Sequence, residues 1–125
     1  TAVRYGRPSG GATRPSIYPF GSPWAGNQNY RIDLEDAPPS SSGVLVLSTA
    51  AASVSAVGIE VLVDFSSAHV SVPVVTGVGG DVKVALPVPE PVLAGKLYVQ
   101  GVVLDATASI GISATQGLEI ELFVR

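Results

Sequence analysis

Tyr30-Arg31-Ile32-Asp33-Leu34-Glu35 puts an apolar side chain at every second position and a charged one after each. Side chains of a strand alternate between its faces, so this stretch is a strand with one face buried and the other wet. It runs into Asp36-Ala37-Pro38-Pro39-Ser40-Ser41-Ser42-Gly43, a turn segment, and then into the apolar run Val44-Leu45-Val46-Leu47. Strand, turn and strand set the pattern for the rest of the chain.

Downstream, Ile59, Val61, Val63 and Phe65 alternate with Glu60, Leu62 and Asp64. Val70, Val72 and Val74 alternate with His69, Ser71 and Pro73, and Pro73 has no N–H, which argues for an edge or a bulge. Gly77-Val78-Gly79-Gly80 predicts a hairpin into Val82, Val84 and Leu86, stopped by the prolines from Pro87 to Pro91. Leu97 to Asp105, Ile110 to Ser113 and Leu118 to Val124 complete the strands, with Val61 and Ile120 expected in the core. Only residues 49–57, rich in Ala, rival strand with one or two helical turns. Val outnumbers Leu 20 to 10, and 14 Gly with 10 Pro interrupt the chain too often for long helices. The expectation is an all-β protein: an antiparallel Greek-key β-sandwich of about seven or eight strands.

At 125 residues the chain is one domain. Its 46% hydrophobic and 14% charged residues exclude disorder for the whole, since ordinary domains carry about 25% charge. No Cys and one His exclude a centre built on cysteine or paired histidines. No apolar run reaches the ~18 residues that span a bilayer, so no membrane span is expected. The chain begins at Thr1 and contains no Met, from which a processed chain is expected.

Charge divides the sequence. Residues 1–32 carry Arg4, Arg7, Arg14 and Arg31 and no acid, whereas residues 33–125 carry ten acids against Lys83, Lys96 and Arg125. Half of the eight aromatics, Tyr5, Tyr18, Phe20 and Trp24, also fall among the first 24 residues, with Pro8, Pro15, Pro19 and Pro23. The expected organisation is an extended basic and aromatic N-terminal arm, 1–27, and a β-sandwich body, 28–125. Residues before a proline are pushed toward extended geometry, so 12–20 is expected to add to a sheet edge of a neighbouring copy. Without residues 1–24 the body is expected to stay folded.

Candidate chemistry is sparse. His69 has no nucleophile arrangement beside it in sequence. Asp33, Glu35, Asp36, Asp64, Asp81 and Asp105 supply oxygen ligands of the kind calcium takes, but solvent exposure accounts for them as well. Glu119 and Glu121 share one side of the last strand at a spacing a glycosidase pair tolerates, and equally serve to keep an exposed strand soluble. The 77–80 glycines lack the Lys and Ser or Thr of a phosphate loop. No catalysis, cofactor or metal is expected. An acidic body argues against nucleic acid, while Tyr and Trp faces leave carbohydrate as a candidate ligand.

From Gly21 onward the chain resembles a family of small β-sandwich domains at the C-terminal ends of exported bacterial surface proteins. The likeness lies in Gly21-Ser22-Pro23 with Gly26-Asn27, Asp36-Ala37-Pro38-Pro39, Leu86-Pro87-Val88-Pro89, Leu97-Tyr98-Val99-Gln100, Val103-Leu104-Asp105 and Thr115-Gln116-Gly117-Leu118. Members commonly carry a Cys pair near the start, which this chain lacks. The resemblance implies export and a non-catalytic extracellular role. Together with the charge division it leads to a secreted structural subunit that self-assembles head to tail into an extracellular filament. Its interface is expected at Arg4, Tyr5, Arg7, Arg14, Ile17, Tyr18, Phe20 and Trp24, residue types that anchor interfaces. A monomeric adhesive or carbohydrate-binding module is the alternative.

Overall fold

The structure, a computed structural model, describes residues 2–56, 59–88 and 95–123. Among the described residues ten strands form antiparallel sheets of five, three and two, and there is no helix. They are β1 (Ala2–Tyr5), β2 (Ser16–Phe20), β3 (Arg31–Glu35), β4 (Ser42–Ser48), β5 (Ala51–Ala56), β6 (Ile59–Val63), β7 (His69–Val75), β8 (Val82–Ala85), β9 (Gly95–Leu104) and β10 (Ile112–Leu122). The large sheet runs β1-β10-β9-β4-β7 and the smaller one β2-β3-β8, with β5 and β6 as a hairpin.

Alternation along β3 sends Ile32 and Leu34 inward, where Ile17 of β2 and Val84 of β8 join them. From the large sheet Leu45, Leu47, Val74, Val99, Leu118 and Ile120 meet them in one core with Tyr30 and Val88. Fully burying a side chain of this size is worth about 1.5–3 kcal/mol, so this shared core holds the two sheets together. Burial also pushes the Tyr30 phenol up to about 12.

The β5–β6 hairpin covers part of the other face of the large sheet. Gln100, buried there, donates to the Glu60 carbonyl (2.8 Å) and the Thr115 carbonyl (3.0 Å) and accepts the Leu62 N–H (3.0 Å). Three hydrogen bonds satisfy an amide that would otherwise cost stability when buried. Val44, Val102, Leu104 and Ile112, beside Val75 on the β7 edge, lie outside that cover, and Val75 and Leu104 are 65% and 58% exposed.

Several sequence expectations are corrected. The described residues form ten strands, because the segment before residue 27 supplies two and the 49–57 stretch contains β5, with residues 57 and 58 outside those described. Alanine's helix propensity is weak beside the pairing of β5 with β6. Residues 77–80 do not close a hairpin: β7 and β8 belong to different sheets, and the loop carries the chain between them. Gly80 at φ 78° is needed there, since a Cβ would sit 2.1 Å from the Ala37 carbonyl oxygen. Ile110–Ser113 and Leu118–Val124 are not two strands; β10 (Ile112–Leu122) joins parts of both, with an irregularity between Ala114 and Gly117, and Val124 lies outside the described residues. Leu62 and Val63 are the buried residues of β6, whereas Val61 is half-buried and Phe65 exposed. A hairpin lying on a sheet with apolar residues at both parities gives alternation no single answer. Pro73 does lie on an edge strand, and the prolines Pro89 and Pro91 fall outside the described residues.

Leu62→Ala is expected to lower unfolding free energy by about 2–5 kcal/mol, the range for truncating a buried Leu or Ile. Val61→Ala should cost well under half of that. Urea unfolding of the two variants checks the assignment, and the reverse order contradicts it.

Candidate functional site

Residues 2–20 contribute one edge strand to each main sheet. β1 lies against β10 with Ala2 opposite Ile120 and Tyr5 opposite Gly117. The Tyr5 ring lies over the place where residue 117 would carry a side chain: a Cβ there would be 2.3 Å from the ring. The Tyr5 hydroxyl donates to the Leu62 carbonyl, and the ring meets Tyr98 edge to face at 6.2 Å between centroids. Burial, with Tyr98 and Glu119 nearby, pushes the Tyr5 phenol up to about 12, so it stays a donor at neutral pH.

The connection to β2 is held by side chains of the body. Ser9 and Ala114 exchange two backbone hydrogen bonds, each 2.8 Å. The Gly11 N–H donates to Asp105 Oδ2 (3.3 Å) and the Ala12 N–H to Thr107 Oγ1 (2.8 Å). Asp105 is buried, and its Oδ1 accepts the Thr107 hydroxyl (2.6 Å) and N–H (2.9 Å). Chiefly through the Thr107 hydroxyl, these bonds hold its carboxyl below the usual value. A Cβ on Gly11 would come within 2.2 Å of Thr107 Oγ1, so only glycine passes here without displacing the loop.

Among the described residues β2 pairs with β3 alone, Ser16 opposite Glu35 and Phe20 opposite Arg31. Pro15 and Pro19 have no N–H, and Ile17 between them donates to Gln116 Oε1 (3.2 Å). The off-ladder parity is thus taken by residues that need no strand partner, leaving the ladder to Ser16, Tyr18 and Phe20. The Ile17 side chain is completely buried.

Among the expected interface residues, Tyr5 and Ile17 are seated in the chain's own sheets. Arg4 lies over the Tyr18 ring at 4.7 Å. Phe20 is 55% exposed, with the Arg31 guanidinium 3.8 Å above its ring and Arg31 paired to Asp33 at 2.9 Å. Trp24 is half-buried and bridges to Phe123. Arg7 uses its backbone N–H to reach Glu60 Oε1 (3.2 Å); the side chains of Arg7 and Arg14 are exposed and make no ion pair among the described residues. Glu35, Asp36 and Asp81 are likewise exposed and unpaired, gathered at one end of the three-stranded sheet where Leu34 faces Val82.

The other candidates are dispersed. His69 is exposed, its Nδ1 2.9 Å from the Ser67 carbonyl and its ring edge to face with Phe65. Glu119 faces Lys96 at 3.7 Å, and Glu121 is exposed. Asp64 is occupied by Ser66 and Ser67. No group of three or more His, Asp or Glu side chains gathers among the described residues in a way that could hold a metal ion. None of the described helices, there being none, is long and apolar enough to cross a membrane.

The receptor side of the contact, Leu62, Asp105, Thr107, Gln116 and Gly117, was not singled out as an interface in the sequence. Gly117 inside strand β10 was the one legible signal, since a glycine within a strand often marks close approach by another group. Known proteins give no further guide: no family model, no curated protein and no solved structure matches the chain.

Two outcomes are expected. Gly117→Val should displace Tyr5 and deprotect the β1 amides to hydrogen exchange while β4 and β9 stay protected. Asp105, its pKa lowered on folding, stabilises the contact above the ordinary carboxyl value of about 3.9 and ceases to as pH falls through its depressed value. Protection of the Gly11 and Ala12 amides should therefore fall in acid. Asp64 is lowered too, so Asp105→Asn, which should remove this acid step at Gly11 and Ala12, isolates the contribution of Asp105.

Proposed function

We propose that the protein is a secreted structural subunit of an extracellular polymer, joined head to tail through its N-terminal segment. The reading takes residues 1–27 as the arm and 28–125 as a Greek-key sandwich body, akin to the terminal domains of exported surface proteins. The observation that carries it is the unpaired charge among the described residues: the Arg7 and Arg14 side chains project from the segment without an ion pair, while Glu35, Asp36 and Asp81 gather at one corner, also without an ion pair, beside Lys83. Unlike surfaces that complement each other make a heterologous contact, which builds rings or filaments and not closed dimers. The apolar strip from Val44 to Leu104 and Val75, next to the β7 edge, adds surface of the kind that marks protein contacts.

A monomeric adhesive or carbohydrate-binding module is the second reading. It is favoured by the 180 Å³ hollow lined by Val3, Tyr5, Ala51, Tyr98 and Glu119, where two tyrosines stand beside a carboxylate.

Sedimentation at neutral pH tests the first reading. At tens of micromolar it expects species well above 12.7 kDa, shrinking in salt because exposed charges are screened beyond ~10 Å at 0.1 M. R7E/R14E should reduce assembly at least tenfold in critical concentration with an unchanged monomer spectrum. A monodisperse monomer throughout overturns the proposal and leaves the module.

A further inference from the structure

We infer that residues 2–20 are exchangeable between copies: in the assembled state they leave their own sheets and complete those of the neighbouring subunit. The partner is a second copy of this chain, offering the same receptor. This inference rests on the assembly proposed above and specifies how the contact is made.

Both strands of the segment are edge strands, β1 on the large sheet and β2 on the small one. They can be withdrawn without separating any other pair of strands. No inner strand of the fold has that freedom. Every receptor for the segment belongs to the body: Gly117 under Tyr5, the Leu62 carbonyl, Ala114, Asp105, Thr107 and Gln116. A neighbour's identical segment satisfies each of them with the same bonds, so exchange loses no contact.

An empty receptor is unfavourable, which is why the site is filled from one chain or another. Withdrawing the segment removes Ile17 from the core and uncovers Ile32 and Leu34, as well as the outer edges of β10 and β3. Removing residues 1–24 therefore lowers the stability of the body by the contacts that the segment makes with it. The segment is part of the core, and its loss leaves a cavity and two open edges.

The joint lies just beyond β2. Gly21 has φ 96°, a conformation that side chains disfavour, and glycine there has the widest choice of backbone angles of any residue. Past it, Ala25 donates to the Phe123 carbonyl (2.8 Å) and Gly26 to the Val88 carbonyl (3.1 Å), anchoring the chain to its own body. Ser22, whose carbonyl accepts from Asn27 Nδ2 (2.5 Å) and from the Trp24 N–H (3.0 Å), belongs to that anchor, so rotation at Gly21 redirects residues 2–20 while the body keeps its fold. A tethered segment competes for its own receptor at an effective concentration of about millimolar, and neighbours held by the Arg7, Arg14 and acidic-corner contacts reach that level. Exchange between identical chains through a hinge is a known low-cost route from monomer to oligomer.

The chain has no Cys, so an introduced pair reports one contact unambiguously. Val3 and Glu119 face each other across β1 and β10, and Ser16 and Glu35 across β2 and β3. V3C/E119C and, separately, S16C/E35C are assembled at neutral pH, oxidised, and run on denaturing gels without reductant. The expected result is a ladder of covalent multimers that collapses to one monomer band on reduction, with V3C alone giving nothing above dimer. Assemblies seen by sedimentation whose chains all run as internally linked monomers would overturn the exchange and leave the assembly reading standing. Monomers by sedimentation, in the wild-type chain and in both pairs, would overturn both.

Discussion

Burial of Ile17 is the interaction on which the two-sheet arrangement turns. Its side chain is completely inaccessible and packs with residues of both sheets, yet it arrives on a segment that has already paired with β10 through β1. The segment therefore crosses from one sheet to the other, and its attachment at Tyr5, at Gly11 and Ala12, and at Ile17 ties the layers together along one side. Lost burial at a site this closed is worth a few kcal/mol, a large fraction of a small domain's total stability. Structure and assembly are thus read from the same residues.

Glycines and prolines make that crossing possible. Gly117 and Gly11 leave room for Tyr5 and for the Thr107 loop, and side chains there would collide with them at 2.3 and 2.2 Å. Pro15 and Pro19 remove N–H groups on the parity that has no partner strand, so the outer edge of β2 offers fewer donors for unspecific pairing. At the opposite end of the large sheet, Pro73 does the same for β7. The fold leaves edges open but limits what can add to them.

The alternation of Tyr30 to Glu35 and of Leu118 to Leu122 was legible because each of those strands has one buried face; Ile32, Leu34, Leu118 and Ile120 fall where period two puts them. Alternation failed at β6, where Leu62 and not Val61 is buried, because the hairpin rests on a sheet that already has its core on the far side. It failed at 77–80 for another reason: glycines report that the chain turns, and not which sheet the next strand joins. The candidate site was half legible. Composition marked the aromatic and basic residues of the segment, but Asp105, Thr107 and Gln116 hold it through backbone donors, and backbone donors leave no trace in residue type.

The central claim is that residues 2–20 form one detachable unit. Native-state hydrogen exchange of the intact monomer tests it most directly. The account predicts that amides of β1, of Gly11 and Ala12, and of β2 open together, at a free energy clearly below that of the β4 and β9 amides, as a single sub-global step. If these amides exchange only with global unfolding, at the same free energy and denaturant dependence as β4 and β9, the segment is an inseparable part of the core and the account is wrong.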